Sequence, residues 1–220
     1  MKPFGSIPPV FALLALLLAS AAAPADTPLA PVTARDPAGT KLVDRLRAGG
    51  LVIFFRHADT IGMPCDRSFT VGDRPCQRNI SERGRDQSRR IGAAFEELGI
   101  PFSTPVFTGP VYRARDTAEL AFGADRVRVT DGLLADDFSG ARLQWVLAEH
   151  RRMFSEIVPP RTNRVLVGHR TPAIMVLGAS VGQRAFPEDA ALVLEPNGSS
   201  ARVLGVLMLA PIAGGGFHMC

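Results

Sequence analysis

The amino-acid sequence predicts an α/β fold, a three-layer α/β/α sandwich with a mainly parallel central sheet. Short apolar runs such as residues 51–55 and 165–167 lack alternating polar residues, which is typical of strands buried on both faces of a sheet. Segments with helical spacing of apolar residues separate these runs, and this alternation favours parallel strands covered by helices. The length of 220 residues suits one domain, which we assign to residues 37–212.

The beginning of the sequence, residues 1–25, has the features of an export signal. Lys2 is followed by the apolar residues 10–22, and Ala23-Pro24-Ala25 forms a small-residue cleavage site. The apolar run is shorter than the ~20 residues of a membrane span. We therefore predict a cleavable signal peptide, a periplasmic or secreted protein and no stable membrane insertion, with an uncleaved anchor as the alternative. Residues 26–36, rich in Pro, Ala and Thr, are predicted to be a flexible linker.

Apolar spacing and helix-end signals predict five helices in the domain, and short apolar segments predict six strands. The helices are expected at residues 36–48, 82–98, 112–122, 140–157 and 172–179. The strands are expected at residues 51–55, 106–107, 127–129, 164–167, 191–195 and 201–209, with a hairpin between the last two. Residues 61–80 and the acidic residues 133–140 are predicted to be loops, and residues 213–220 a tail.

Charge and cysteine content limit the class of ligand. The formal net charge is +4, and the basic residues, mostly Arg, are spread along the chain, which favours small anionic ligands over nucleic acid. In an oxidising compartment Cys65 and Cys76 would form a disulfide across a polar loop, with Cys220 as the odd thiol. These cysteines lack the close pairs of a zinc site, and neither a metal nor another cofactor is expected.

Candidate functional residues stand at the carboxyl ends of predicted strands, where ligands bind in open α/β sheets. Arg56 and His57 follow the first buried strand, and Gly168-His169 repeats this design after a later strand. Arg113 lies near the start of a helix that follows a third strand. Because neighbouring strands bring their ends together, we expect one pocket with two imidazoles and several guanidiniums.

Such a pocket is suited to phosphoryl transfer. Arg presents a planar fork of N–H donors that fits phosphate oxygens. Guanidiniums also spread the negative charge of the phosphoryl group, so that a neutral imidazole can attack phosphorus. The same cations should hold the pKa of the imidazole down and keep it nucleophilic. A carboxylic acid near the pocket mouth would protonate the leaving alkoxide.

Four motifs occur along the chain in an order that characterises one enzyme family. They are Phe55-Arg56-His57-Ala58-Asp59-Thr60, Cys76-Gln77-Arg78-Asn79-Ile80-Ser81-Glu82-Arg83-Gly84-Arg85, Tyr112-Arg113-Ala114-Arg115-Asp116-Thr117-Ala118 and Val167-Gly168-His169. Together they resemble the histidine phosphatase superfamily, with its phosphoglycerate-mutase-like fold, and more closely its small exported bacterial members. The resemblance covers roughly residues 40–210.

The resemblance implies a role for each matched residue. His57 would be the nucleophile that forms a transient phosphohistidine, without a metal. Arg56 and Arg113 would bind the phosphoryl oxygens, and His169 would lie opposite His57 and stabilise the transferring group. Thr60 would donate a hydrogen bond from the loop after the nucleophile.

The sequence also departs from the family pattern. Ala58 replaces the usual Gly after the nucleophile. The family's general acid, a Glu that precedes a Gly in a loop, is matched in spacing by Asp136 and Gly140. Asp137 is the adjacent alternative, and some compact family members lack this acid altogether. Arg170, directly after the second histidine, is unusual and would add a phosphate contact.

Other polar and aromatic residues have structural explanations. Arg115 is expected to pair within its own helix, and His150 to lie on a solvated helix face. Trp145 is expected in the core, and His218 in a disordered, Gly-rich tail.

The sequence therefore predicts an exported phosphatase that hydrolyses a small phosphate monoester through a phosphohistidine on His57. The alternatives are a phosphomutase, which requires a phosphate donor, and a phosphate-ester-binding protein with little or no catalysis. Residues 61–80 and the segment after Gly132 are expected to wall the pocket. An envelope sugar phosphate is one candidate substrate, and nucleic acid is not an expected partner.

Overall fold

The computed structural model describes residue 1 and residues 27–218. In this part of the chain a seven-stranded sheet lies between two layers of helices. The strands are β1 (Val32–Thr33), β2 (Val52–Arg56), β3 (Ser103–Thr108), β4 (Val127–Val129), β5 (Arg164–Gly168), β6 (Ala191–Pro196) and β7 (Ala201–Met208). The α-helices are α1 (Pro37–Ala48), α2 (Glu82–Glu97), α3 (Tyr112–Phe122), α4 (Asp136–Ser139), α5 (Leu143–Ser155) and α6 (Arg170–Leu177).

Strand β2 lies in the middle of the sheet, whose strand order is β1-β7-β6-β2-β5-β3-β4. It pairs in parallel with β5, where Phe54 is aligned with Leu166, and antiparallel with β6, where Phe54 is aligned with Leu192. Strand β6 is antiparallel to both of its neighbours, and the remaining pairs are parallel. The carboxyl ends of β2, β3 and β5 therefore meet at one edge of the sheet, together with the amino end of β6.

The side chains of β2 alternate between two hydrophobic cores. Ile53 and Phe55 pack with residues of α1, α2 and α3, whereas Val52 and Phe54 pack with residues of α5 and α6. None of these four side chains is more than 1% exposed. Burial on both faces explains why this strand lacks polar alternation, and it confirms the predicted three-layer α/β/α fold.

The predictions for two residues of α5 are wrong. His150, expected on a solvated face, is fully buried, and its ring lies 5.7 Å from the ring of Phe154. Trp145, expected in the core, is 47% exposed. The apolar stripe of the helix passes through Val146 and Leu147, so helical spacing places position 150 on the buried face and position 145 beside it.

The predicted linker is attached to the domain in its described part, residues 27–36. Strand β1 pairs in parallel with β7, and the Leu29 backbone N–H donates to the Ser180 carbonyl at 2.8 Å. These contacts correct the prediction of a flexible linker for these residues. The predicted signal peptide lies outside the described residues, apart from residue 1. Among the residues that the structure describes, no helix has the length and apolar character needed to cross a membrane.

The predicted acidic loop at residues 133–140 contains the short helix α4. It forms where Leu134, Ala135 and Phe138 are buried together in a small core of their own. The burial of these apolar residues leaves Asp136 and Asp137 as the first two residues of the helix, where carboxylates are favoured by the helix dipole.

The expected disulfide between Cys65 and Cys76 is not formed, because Cys76 is a free cysteine within the described chain. Backbone hydrogen bonds close the loop at this point instead, and one runs from the Arg67 N–H to the Cys76 carbonyl at 2.8 Å. Cys220, expected to be the odd thiol, lies outside the described residues.

Candidate active site

A cavity of about 140 Å³ lies where the carboxyl ends of β2 and β5 meet the start of α3. It is lined by Arg56, His57, Arg78, Arg113, Ala135, Asp136, Asp137, His169, Arg170, Thr171, Phe217 and His218. The structure therefore brings together all but one of the residues that the sequence singled out for chemistry. The exception is Thr60, which does not line the cavity.

His57 is held in a neutral form with one ring nitrogen directed away from its own backbone. Its Nδ1 lies 2.9 Å from the carbonyl oxygen of Ala58. Because a carbonyl only accepts hydrogen bonds, the proton is on Nδ1 and the lone pair is on Nε2. Burial lowers the pKa of His57 well below its ordinary value, and the charges of Arg56 and Arg113 lower it further. The side chain therefore has the state that a nucleophile requires.

The loop after β2 is fixed on its backbone by neighbouring helices. The Ala58 N–H donates to Thr117 Oγ1 and the Asp59 N–H donates to Gln87 Oε1, both at 2.9 Å. Ala58 is not among the described residues with positive φ, so the replacement of the usual Gly causes no backbone strain here.

Helix α2 begins against the same loop. The Ser81 hydroxyl accepts from the Gly84 N–H at 2.9 Å and donates to Asp59 Oδ2 at 2.6 Å. A Cβ atom on Gly84 would lie only 2.1 Å from the Asp59 carbonyl oxygen. This close approach requires glycine, and it ties the loop that carries His57 to the first turn of α2.

His169 lies opposite His57, with ring centroids 5.6 Å apart. It is the residue directly before α6, and its ring is 4% exposed. Burial lowers its pKa well below the ordinary value, and Arg113, His150 and Arg56 lower it further. The pocket thus contains two neutral imidazoles that face each other.

Four arginines line the cavity beside the imidazoles and carry buried N–H donors for which the described residues provide no acceptor. Arg56, Arg78 and Arg113 are at most 6% exposed, and Arg170 is partly buried. Among the described residues, no hydrogen-bond acceptor is found for Nε of Arg56, Arg78, Arg113 and Arg170 or for Nη1 of Arg78, and Nε2 of His169 has no hydrogen-bond partner. Since buried polar groups are normally hydrogen-bonded, the unpartnered N–H groups of these cavity-lining arginines are suited to an anion with several oxygens.

Two of the guanidiniums also form hydrogen bonds with buried or partly buried carboxylates. Asp66 accepts from Arg113 Nη1 at 3.0 Å, and Glu188 accepts from Arg56 Nη2 at 3.3 Å. Burial lowers the pKa of Arg56 to about 10, so its guanidinium remains charged at neutral pH. Arg113 likewise has a pKa lowered by burial and raised in part by Asp66.

Arg78 is a cavity residue that the sequence analysis did not single out. Its backbone N–H donates to Asp66 Oδ1 at 2.7 Å, and its Nη2 lies 4.0 Å from Glu188 Oε1. It belongs to the second motif, but it lies in a polar loop. A loop has no regular spacing of apolar residues, so the sequence does not show whether an Arg in it is buried or exposed. Residues 61–80 were expected to form a wall of the pocket, and within this range Arg78 lines the cavity.

Two carboxylic acids lie at the cavity wall formed by α4. Asp136 is partly buried, and burial raises its pKa, with a further increase from the charge of Asp137. Asp137 is exposed and also lines the cavity. A raised pKa suits Asp136 to donate a proton.

Thr60 has a different place from the predicted one. Its hydroxyl donates to Glu188 Oε1 at 3.0 Å instead of pointing into the cavity. It is 1% exposed, and it contacts the buried acid that supports Arg56. The prediction that Thr60 binds substrate therefore does not agree with its position.

Glu188 and residues 217–218 are further features that the sequence analysis missed. Glu188 is 1% exposed and precedes β6. His218, expected to be disordered, has its Nδ1 2.8 Å from Glu188 Oε2. Because β6 is antiparallel, its beginning lies beside the end of β2, and this places Glu188 next to the pocket.

Asp59, Glu188 and His218 have metal-ligand atoms within 4.8 Å of one another. The cluster is a poor fit for a cation, because Glu188 already accepts from Arg56, Thr60 and His218. A divalent cation would also lie beside two buried guanidiniums, a repulsion that grows in a low-dielectric interior. These residues are better described as an ionic and hydrogen-bonded support of the pocket.

No family model matches this chain, and no curated protein matches it. Among solved structures, it is similar to the protein histidine phosphatase SixA in complex with tungstate, with 15% identity over 72% of this chain and 96% of that chain and a TM-score of 0.49. It is also similar to a mycobacterial glucosyl-3-phosphoglycerate phosphatase, with 20% identity over 74% and 99% of the two chains and a TM-score of 0.46. A protein from Thermus thermophilus has 19% identity over 70% and 97%, with a TM-score of 0.46.

Proposed function

We propose that this chain is a phosphatase that hydrolyses phosphate monoesters through a phosphohistidine on Nε2 of His57, without a metal. One observation carries the proposal. Two neutral imidazoles lie opposite each other in a cavity lined by four arginines, whose Nε–H groups lack an acceptor among the described residues. A phosphoryl group satisfies these donors, and its negative charge balances the guanidiniums.

In the first half of the reaction, the arginines bind the phosphoryl oxygens and spread their charge. Nε2 of His57 attacks phosphorus, a P–N bond forms, and the bond from phosphorus to the ester oxygen breaks. The leaving alkoxide takes the proton of Asp136, or of Asp137 in the alternative assignment. His169 lies on the opposite side of the transferring group and, with the arginines, stabilises its charge.

In the second half, a water molecule attacks the phosphohistidine. The carboxylate left by the first step accepts a proton from this water, the P–N bond breaks, and inorganic phosphate leaves. His57 recovers its lone pair on Nε2, and the acid recovers its proton. Both steps balance in protons and need no co-reactant other than water.

The substrate is proposed to be a small phosphorylated metabolite met after export. The N-terminal sequence supports a periplasmic or secreted location, and this location favours an envelope sugar phosphate over a cytoplasmic ester. The cavity volume of about 140 Å³ is below the ~300–1,000 Å³ of sites that enclose drug-sized ligands. The cavity therefore holds the phosphoryl group and leaves most of the alcohol at the mouth.

Trapping of the covalent intermediate tests the proposal. The purified chain is mixed with a labelled aryl phosphate in the presence of a chelator, quenched in alkali and examined for acid-labile label on histidine. We expect label on wild type and its loss in His57→Ala, with Arg115→Ala as a labelled control because Arg115 pairs with Glu119 outside the cavity. Absence of both turnover and label in wild type would exclude the proposal.

A non-catalytic phosphate-ester-binding protein is the second candidate. Asp66 and Glu188 favour it, since each carboxylate already engages a guanidinium of the cavity. Binding of the ester without turnover at any pH, measured by calorimetry, would support this candidate. A phosphomutase would instead need label transfer from a donor phosphate to a second hydroxyl compound.

A further inference from the structure

Residues 211–218 form a segment whose last two residues, Phe217 and His218, line the cavity. Arg83 Nη2 donates to the Ala213 carbonyl at 2.7 Å, which fixes the segment to α2. The Gly216 carbonyl accepts from the Glu188 N–H at 2.7 Å and from Arg56 Nη1 at 3.3 Å. Gly216 has φ 108°, a conformation that suits glycine, and this turn directs the next two side chains toward the cavity.

Phe217 covers a cluster of positive charge at the cavity. Its ring centroid lies 5.1, 5.5 and 5.8 Å from the guanidinium carbons of Arg184, Arg56 and Arg170. Contacts of this kind between an aromatic ring and a guanidinium are attractive. The ring is partly exposed and lines the cavity, and the three contacts with arginines stabilise it in this position.

His218 is joined to the buried support of the pocket. Its Nδ1 lies 2.8 Å from Glu188 Oε2 and 3.2 Å from Thr60 Oγ1, and its Nε2 lies 3.9 Å from Asp59 Oδ1. Glu188 also accepts from Arg56. The same buried carboxylate therefore fixes both the side wall and a guanidinium of the cavity.

We propose that residues 211–218 are a wall of the substrate pocket, and that Phe217 and His218 determine the size of the alcohol that the phosphatase accepts. The proposal rests on the proposed function and extends it to the leaving group. The alcohol leaves the cavity between this wall and the opposite wall at Asp136, Asp137 and Thr171, all of which line the same small space. Because Gly216 and Glu188 hold the wall, monoesters of compact, hydrophilic alcohols fit, and bulky ones meet Phe217.

The test compares two aryl phosphates that differ in size but have similar leaving groups, phenyl phosphate and 2-naphthyl phosphate. For Phe217→Ala and for His218→Ala, kcat/KM for the naphthyl ester divided by that for the phenyl ester is expected to rise about tenfold relative to wild type. The matched control is Phe69→Ala, which removes the same ring from an exposed position outside the cavity lining. This control should leave the ratio unchanged.

A second readout does not depend on turnover. Phenylphosphonate and 2-naphthylphosphonate, which have no ester bond to cleave, are titrated into the same proteins by calorimetry. In wild type the naphthyl compound should have the larger dissociation constant, and Phe217→Ala should bring this constant closer to that of the phenyl compound. Phe217→Leu retains part of the side-chain volume and should give an intermediate ratio, so a folding defect of the alanine variant does not prevent the test.

The outcomes separate the wall from the phosphatase activity. If wild type turns over both esters and the naphthyl-to-phenyl ratio of kcat/KM is the same in all variants, the proposed role of Phe217 and His218 is wrong and the proposed phosphatase activity stands. Wild type without turnover, but with a size-dependent affinity for the phosphonates that Phe217→Ala removes, would exclude the activity and retain the wall. Equal loss with both esters in the Phe217 and His218 variants would mean a purely structural role for the segment and would also overturn the proposal.

Discussion

The ring centroids of His57 and His169 lie 5.6 Å apart, one ring after β2 and the other after β5. These two strands are parallel neighbours, and Arg56 is aligned with Gly168 in their register. The residue that follows each strand therefore lies opposite its counterpart, because parallel neighbours end at the same edge of the sheet. The spacing between the imidazoles is thus a product of strand register.

The first prediction concerns two arginines on one helix. Arg113→Ala should lower kcat/KM for an aryl phosphate by about 10²–10³, because Arg113 is buried, lines the cavity and carries an Nε without a described acceptor. Arg115→Ala should stay within about twofold, because that side chain forms an exposed pair with Glu119. Steady-state kinetics of both variants provide the measurement. Equal losses in the two would mean that Arg113 acts through stability alone.

The second prediction distinguishes the two candidate acids. Asp136→Asn should slow hydrolysis of an alkyl phosphate by about 10²–10⁴ and affect a nitrophenyl phosphate much less, because a good leaving group needs no proton. Asp137→Asn should have little effect on either ester. The pKa of Asp136 is raised by burial and by Asp137, so activity on the alkyl ester should fall as pH rises through that pKa. The reverse ranking of the two variants would move the role of acid to Asp137.

The third prediction concerns the charge balance at Glu188. Glu188→Gln keeps the shape of the side chain but leaves Arg56 and Arg78 without their buried carboxylate. The melting temperature without ligand should fall, because the repulsion between these guanidiniums is no longer offset. Inorganic phosphate should then raise the melting temperature more than in wild type, since a ligand that binds the folded state stabilises it.

Thr60→Val is the control for this experiment, because it removes a hydrogen bond to Glu188 without changing charge. Differential scanning fluorimetry over a phosphate series gives both quantities. If the phosphate response of Glu188→Gln equals that of Thr60→Val, charge balance is not the function of this carboxylate.

The fourth prediction concerns Asp189, a fully buried acid whose backbone N–H donates to the His57 carbonyl at 3.0 Å. Burial raises its pKa to about 7. A carboxyl whose pKa is raised by folding binds protons more readily in the folded state. Its contribution to stability is therefore full below pH ~4 and is lost as pH rises through about 7.

Asp189→Asn should remove this loss and stabilise the protein at pH 8 relative to wild type, with little change at pH ~4. The backbone φ of 77° suits Asn, so the substitution adds no conformational strain. In chemical denaturation, the free energies of unfolding of wild type and Asp189→Asn should diverge by on the order of 1 kcal/mol per pH unit between pH ~4 and about 7, with no further divergence up to pH ~8. Asp86→Asn is the control, since Asp86 pairs with Arg89 at the surface. Parallel curves for Asp189→Asn and wild type would contradict the prediction.

Much of the fold and half of the pocket could be predicted from local sequence. Arg56, His57 and His169 each follow an apolar run directly, and the rule that ligands bind at the carboxyl ends of parallel strands then places them together. The helices follow from periodicity and end signals, as at Ser81. His150 shows the limit of this reasoning. It was expected to be exposed because histidine is polar, but its spacing places it on the apolar face of α5, where it is buried.

The other half of the pocket depends on contacts between distant parts of the chain. Glu188 lies before an antiparallel strand, so its place at the site follows from the direction of β6, which local patterns do not reveal. Phe217 and His218 follow the last strand in a glycine-rich segment without periodicity. The contact of Thr60 could not be predicted for the same reason, because its hydrogen-bond partner, Glu188, is 128 residues away in the chain.

The contact between Arg56 and the Gly216 carbonyl joins positions 160 residues apart. A contact of such high sequence separation costs conformational entropy, because the chain between the two positions is closed into a loop. The Arg56 guanidinium therefore has the orientation described here only when Gly216 lies against Glu188. A chain in which this contact has not formed would keep both histidines at the strand ends but would lack the segment that carries Phe217 and His218 to the cavity.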